Sequence, residues 1–389
     1  MRRILPIIVI SQFFCTSLWF AGNAVMPDIV QKFHLAPSFL AHLTSAVQLG
    51  FITGTLLFAI LTIADRFSPS LVFCTAAMAA AICNLGISME GIDAGTVLLF
   101  RFLTGFFLAG IYPVGMKIAS DYYQKGLGKS LGFLVGALVL GTAFPHLLKS
   151  LTLNLPWKYV VFATSILSVV GGLIIWLFVP DGPFRKSIQK IRLAAFLSGF
   201  ANKPFRAAAF GYFGHMWELY AFWAFVPVML ANWQKHNAAV TLNIPFLSFL
   251  IIGSGSVACV VSGFISQFFG TKKVAAISLF LSGCCCILSP FFLLNSSVFT
   301  LVPFLFFWGL VVIADSPLFS TLVAQNAPEE SRGTSLTIVN CIGFSITIIS
   351  IQLINGLMND GNARFIYLLL VIGPLTGLIA LLGNRKPES

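Results

Sequence analysis

Apolar residues in this chain run in long stretches, and charged or turn-forming residues collect between them. A bilayer core needs about 20 apolar residues per helix, and the breaks divide the sequence into about twelve such stretches. The pattern predicts helices near 4–26, 40–63, 69–89, 95–119, 130–150, 158–179, 207–230, 243–268, 274–294, 298–323, 336–357 and 365–384. The longest polar connection, Asp181 to about Arg206, carries six basic residues near the middle of the chain. It predicts an N-terminal six-helix bundle over 1–180, a cytoplasmic linker over 181–206 and a C-terminal six-helix bundle over 207–389. Within the linker, IQKIRLAAFLSGF is expected to form an amphipathic helix on the inner leaflet.

The two halves resemble each other weakly at three points. Gly110-Ile111-Tyr112-Pro113 matches Ala314-Asp315-Ser316-Pro317, and Gly128-Lys129-Ser130-Leu131 matches Gly333-Thr334-Ser335-Leu336 at nearly the same offset. LTIADRFSPSLV (61–72) likewise resembles GFISQFFGTKKV (263–274). Like features at like points of two halves imply an internal repeat, a common construction among secondary transporters.

Composition agrees with a chain in lipid. Of 389 residues, 58% are apolar and 9% charged, too few charges to cover a soluble protein of this length. Mean hydropathy is +0.95. The net charge of +11 does not point to nucleic acid, because the basic residues lie between apolar runs rather than along one helix. They set topology instead. With both termini cytoplasmic, only Lys32, Lys149, Lys158, Lys235 and Arg364 fall outside and Arg101 falls within a helix, which places the protein in the inner (plasma) membrane as a multi-pass chain. Met1-Arg2-Arg3 and the apolar run after it imitate a secretory signal, but without a convincing cleavage site before Pro27 they predict a retained first helix. Eight cysteines, including Cys284-Cys285-Cys286, show no paired spacing and suggest packing rather than disulfides or zinc.

Three signatures resemble the major facilitator superfamily over essentially the whole chain. The Ala64-Asp65-Arg66 loop resembles that family's loop between helices two and three, with Leu61 at the first glycine and Ser68-Pro69-Ser70 where Gly and basic residues are usual. RFLTGFFLAGIYPVG (101–115) resembles its Arg-x-x-x-Gly fourth helix, and GFLVGALVLGTAFPHL (132–147) its glycine-rich fifth. GHMWELYAFWAF (214–225) and Ala314–Pro317 look most like the cyanate/nitrite-like branch. The resemblance implies two halves rocking around a site on helices one, four, seven and ten, a gating role for Asp65 and Arg66, and a part for Arg101 in substrate or proton coupling.

Among twelve acids, Glu218 and Asp315 fall deep in predicted helices. A charge there costs about 2.5–3.5 kcal/mol on insertion scales, so each is expected to bind or transfer something, or to lock helices together. His215 sits one turn before Glu218, where the two could share a proton, or His215 could bond a neighbouring helix. Trp217, Tyr220 and Trp223 could line a pocket or pack. Pro317 frees a carbonyl near Asp315 and Ser316, which points to a solute or proton site or to a plain kink. Arg101, about 10 Å outward of its helix centre, suits an anion or a buried acid, or snorkels to the interface. Gly132, Gly136 and Gly141 predict close helix packing, and Gln12 and Asn23 are weaker cavity candidates.

These residues predict a monomeric secondary transporter of a small, anionic solute, coupled to protons and in contact with membrane lipids, needing no cofactor. A proton-antiport exporter of lipophilic or drug-like compounds is the main rival. No GxxxxGK[ST] loop is present for ATP, and no hydrolase or paired-histidine motif supports a membrane enzyme. A transport-like sensor would need a soluble output segment, and only Asn-Arg-Lys-Pro-Glu-Ser follows Gly383.

Overall fold

The computed structural model describes residues 4–123, 127–152, 155–185, 197, 199–293, 297–329 and 332–383. Among these residues the secondary structure is helical throughout, with no strand. In the first half, α1 comprises Ile4–Thr16, Ala21–Ala24 and Met26–Phe33, α2 is Phe39–Ile60 and α3 is Pro69–Gly86. Next come α4, in two pieces at Ala94–Leu108 and Tyr112–Tyr122, α5 at Leu127–Leu151 and α6 at Lys158–Phe178. The second half contains α7 (Lys203–His236), α8 (Ile244–Phe269) and α9 (Thr271–Leu293). It continues with α10 (Val298–Val311 and Ser316–Asn326), α11 (Arg332–Leu357) and α12, a 3-10 helix Ile366–Val371 running into Ile372–Leu382. Among the described residues nine helices are long and apolar enough to cross a membrane, and α1 and α12 contain shorter apolar helices. α7 has 34 residues. At 1.5 Å per residue it extends about 50 Å, well past a hydrocarbon core of about 30 Å.

The expected helices are all present, with two kinds of difference. α7 outruns its predicted 207–230 at both ends, starting at Lys203 with Pro204 in its first turn and closing where Gln234 Oε1 accepts the Leu242 amide at 2.7 Å. Three helices are interrupted rather than continuous. α4 stops at Leu108 and restarts at Tyr112, while α10 stops at Val311 and restarts at Ser316, each restart carrying proline as its second residue. Proline is tolerated in a first turn, where its missing N–H has no partner to lose. These interruptions coincide with the Gly110–Pro113 and Ala314–Pro317 match. Gly128 and Gly333 are each the second residue of their helix, and Pro69 and Thr271 each the first, so the other two matches also keep register. α1 breaks at Ser17–Phe20 without a proline. The amphipathic helix expected over 188–200 lies mostly outside the described residues.

Within the first half, α1 packs on α5 and α6, α2 on α4, and α3 on α4 and α6; within the second, α7 packs on α11 and α12, and α8 on α10. Among the described residues the halves meet most extensively along two seams, α5 against α8 and α2 against α11. Along the first seam the helices approach most tightly at Gly136. A Cβ on Gly136 would stand 3.0 Å from the Ser256 carbonyl, and one on Gly132 would stand 3.4 Å from that of Cys259. Gly141 instead faces the Phe13 carbonyl of α1.

Candidate functional site

Between the halves lies a cavity of about 720 Å³. Thr55 and Phe58 of α2 and Tyr112, Pro113 and Met116 of α4 line it on one side. On the other side stand Tyr212, Met216, Leu219 and Tyr220 of α7, with Ser316 and Ser320 of α10 and Asn340 and Phe344 of α11. The Tyr212 hydroxyl donates to Asn340 Oδ1 at 2.5 Å, fixing α7 to α11 at the cavity wall. Asp65, Lys117, Glu329 and Arg332 mark the mouth. Asp65 follows α2, Lys117 lies in the second piece of α4, Glu329 follows α10 and Arg332 begins α11, so the cavity opens on the face where α1 begins and α12 ends.

Its other end is closed by aromatic rings from both halves. Trp19 of α1 lies 4.8 Å from Phe51 of α2 and 5.5 Å from Phe344 of α11, centroid to centroid. Tyr220 stands 5.1 Å from both Phe344 and Trp223. Beyond the rings, Gln352 Nε2 donates to Ser45 Oγ at 2.9 Å, Thr347 donates to Gln48, and Asn243 Nδ2 donates to Ser150 Oγ at 3.0 Å. Each of these bonds joins one half to the other.

The two deep carboxyls lie in the second half, one layer behind the cavity wall. Glu218 is 1% exposed and accepts from Ser282 and Cys286 of α9 and from Trp308 Nε1 of α10, the last at 2.6 Å. Its expected partnership with His215 is not formed. His215 instead brings Nδ1 to 2.8 Å from Asp315 Oδ1, both side chains 1% exposed. The contact joins α7 to α10, and among the described residues neither side chain has another side-chain partner at these atoms. Spacing along one helix suggested the Glu218 pairing; a break in another helix delivers the actual partner. Asp315 ends the non-helical stretch of α10, and the next residue, Ser316, lines the cavity.

Helical rotation separates the other α7 candidates. Tyr212, Met216, Leu219 and Tyr220 recur at helical spacing and face the cavity, with Trp223 continuing the stripe into the aromatic closure. Trp217 turns toward α12, where its Nε1 donates to the Leu369 carbonyl at 2.9 Å.

Arg101 is fully buried and donates to the carbonyls of Leu18 (3.1 Å) and Trp19 (2.5 Å) and to Asn84 Oδ1 (3.2 Å). It therefore satisfies the carbonyls released by the break in α1 and lies outside the cavity lining. Interface snorkelling is excluded by that burial. Asn23 Nδ2 donates to Thr44 at 2.7 Å, and the Gln12 side chain is buried against α4 with no hydrogen-bond partner among the described residues.

At the mouth, Lys117 Nζ lies 2.9 Å from Asp65 Oδ1 and 3.7 Å from Asp121 Oδ2. Arg185 donates to the carbonyls of Asp65 and Phe67, binding the chain after α6 to this loop. Arg66 is exposed and reaches Thr62 Oγ1 at 3.1 Å. Asp65 is thus part of the mouth and Arg66 is not. The sequence alone did not single out Tyr112, Tyr212, Asn340, Trp19, Phe51 or Phe344. The four-residue spacing of Tyr212, Met216 and Tyr220 was the one readable sign.

The Major Facilitator Superfamily description matches residues 8–385. The fold is similar to that of the human organic anion transporter MFSD10 (TETRAN), with a TM-score of 0.77 and 15% identity over 98% of this chain and 99% of that one. It is also similar to a bacterial homologue of the human lysosomal transporter Spinster in an inward-facing, unoccupied conformation, with a TM-score of 0.68 and 15% identity over 100% and 99%. No curated protein matches the sequence. Family and fold point to a transporter and not to an enzyme, in a multi-pass membrane protein. With its family description covering nearly every residue and its two halves enclosing a one-sided cavity, this chain belongs to the major facilitator superfamily.

Proposed function

We propose that this protein is a monomeric, proton-coupled secondary transporter that moves a small, anionic solute across the inner membrane, with both termini cytoplasmic. The observation carrying this reading is the cavity between the halves, open on one face and sealed on the other by Trp19, Phe51, Tyr220 and Phe344. Reversing which end is sealed would move a solute without opening a continuous pore. The basic residues of the connections on that face support placing it in the cytoplasm. Uptake with protons draws support from the likeness of residues 214–225 and Ala314–Pro317 to the cyanate/nitrite-like branch. The mouth balances Lys117 and Arg332 against Asp65, Asp121 and Glu329, with Lys117 paired to Asp65, so it adds no net positive charge; Asp315 with His215 supplies a buried group for the proton.

A second reading, proton-driven export of a lipophilic compound, is favoured by the cavity's depth, where Leu219, Tyr220 and Phe344 offer apolar surface. One experiment separates the two. The purified protein is reconstituted with an internal pH dye and given small anions, weak acids and lipophilic cations, alongside Glu218→Gln, Asp315→Asn and Arg101→Ala. Proton movement with an anion, lost in a carboxamide variant that still binds the anion, supports the first reading. Proton movement with cations alone supports the second, and solute accumulation without proton flux in every variant overturns the coupling.

A further inference from the structure

A second concavity, of about 770 Å³, lies on the outside of the second half among α9, the later piece of α10 and the end of α12. Phe269, Ala276, Phe280, Leu322, Leu378 and Leu382 make its apolar walls. Lys272 and Lys273 stand exposed at its rim, and none of the described acidic residues lines it. Gln325 adds a neutral polar group. The rim lies on the face where the transport cavity opens, at the start of α9.

The chemistry of this groove is graded. Two cations sit at the membrane boundary, and apolar wall follows along α9 from Lys273 to Phe280, about 10 Å toward the bilayer interior. A soluble anion would use the lysines but not the wall, and an uncharged hydrocarbon would use the wall but not the lysines. Basic pockets between membrane helices suit anionic headgroups. We propose that the groove binds one anionic phospholipid of that leaflet, its phosphate on Lys272 and Lys273 and an acyl chain between Phe280, Leu322 and Leu378.

The position gives the lipid a route to transport. Leu322 and Gln325 face the groove, while Ser316, Ser320, Val323 and Ala324 of the same helical piece line the solute cavity. A single helix thus separates lipid from solute. Bound lipid favours whichever arrangement of α9, α10 and α12 keeps the groove intact, because a ligand shifts an equilibrium by its differential affinity for the two states.

The test measures lipid binding without requiring a known solute. The protein is purified from bilayers of phosphatidylcholine containing increasing phosphatidylglycerol, and retained lipids are counted by native mass spectrometry. The variants are Lys272→Gln/Lys273→Gln, which removes the headgroup contacts, and Ala276→Trp, which fills the trough and keeps both charges. Lys203→Gln/Arg206→Gln removes equal charge elsewhere on the same face. One tightly retained phosphatidylglycerol is expected for the wild type and the control, weakened about fivefold for each lysine removed. Ala276→Trp should lose it as well. Retention unchanged in both groove variants overturns the site, as does equal loss in the control, which would indicate diffuse attraction to a basic face. Equal retention of phosphatidylcholine would overturn the anionic specificity.

Discussion

Glu218 and Asp315 are equally buried, yet their neighbours predict different consequences for the corresponding amides. Ser282, Cys286 and Trp308 Nε1 all donate to Oε1 of Glu218, while Oε2 meets only the Ser282 hydroxyl, which can also accept. Glu218→Gln can keep its oxygen toward the three donors and give its NH2 to Ser282, so it is expected to melt close to wild type. Asp315→Asn removes the carboxylate from the buried pair with His215, so a lower melting temperature is expected together with lost proton movement. Thermal denaturation beside the dye assay tests the contrast, and equal melting of the two variants would remove it. Arg101→Ala leaves the Leu18 and Trp19 carbonyls uncovered, each worth about 1–3 kcal/mol when orphaned in a buried site. Melting should therefore fall with or without solute; unchanged melting with lost solute binding would instead place the guanidinium in the transport route. The sequence located all three charges, because an ionisable residue in an apolar run is conspicuous. It did not reveal which way they point. Facing depends on rotation about the helix axis, about 100° per residue, and α7 has apolar residues on every side of His215 and Glu218.

The elements themselves were legible to within a few residues, because bilayer thickness imposes a length on each apolar run. Interruptions were harder to foresee. Those in α4 and α10 have prolines and a repeated motif to mark them, whereas the one in α1 depends on a guanidinium from another helix and leaves no local trace. A further irregularity ends α2, where Thr62 adopts φ 51° and ψ 38°, a left-handed conformation that crowds a β-branched side chain. The family's glycine is missing one residue earlier, at Leu61, so the turn is made without one. Thr62→Gly removes the crowding and gives up the Thr62 contact with Arg66. The expected net result is a gain of about 1 kcal/mol, read as a higher melting temperature. A fall would show that the Arg66 contact outweighs the backbone strain.

At the scale of the whole molecule, the proposed cycle requires one set of seams to open as the other closes. The α5–α8 seam is smooth where Gly132 and Gly136 meet backbone, which allows two helices to slide or rock with little side-chain interlock. The sealed end is different in kind: Gln352 to Ser45, Thr347 to Gln48 and Asn243 to Ser150 are specific bonds between halves, backed by the Trp19, Phe51 and Phe344 rings. If transport requires this end to part, joining it covalently must stop the cycle with the cavity still open on the opposite face. Ser45→Cys with Gln352→Cys, bridged by a short thiol cross-linker that reductant can cleave, provides that lock. Solute movement is expected to fall to background on cross-linking and to recover on reduction, while each single variant treated alike keeps its activity. Binding of solute from the open face should survive the lock, because the cavity and its mouth lie on the other side of the aromatic closure. Continued transport by fully cross-linked protein would mean that this end never separates, and the rocking motion would have to be replaced by a path that leaves α2 and α11 joined.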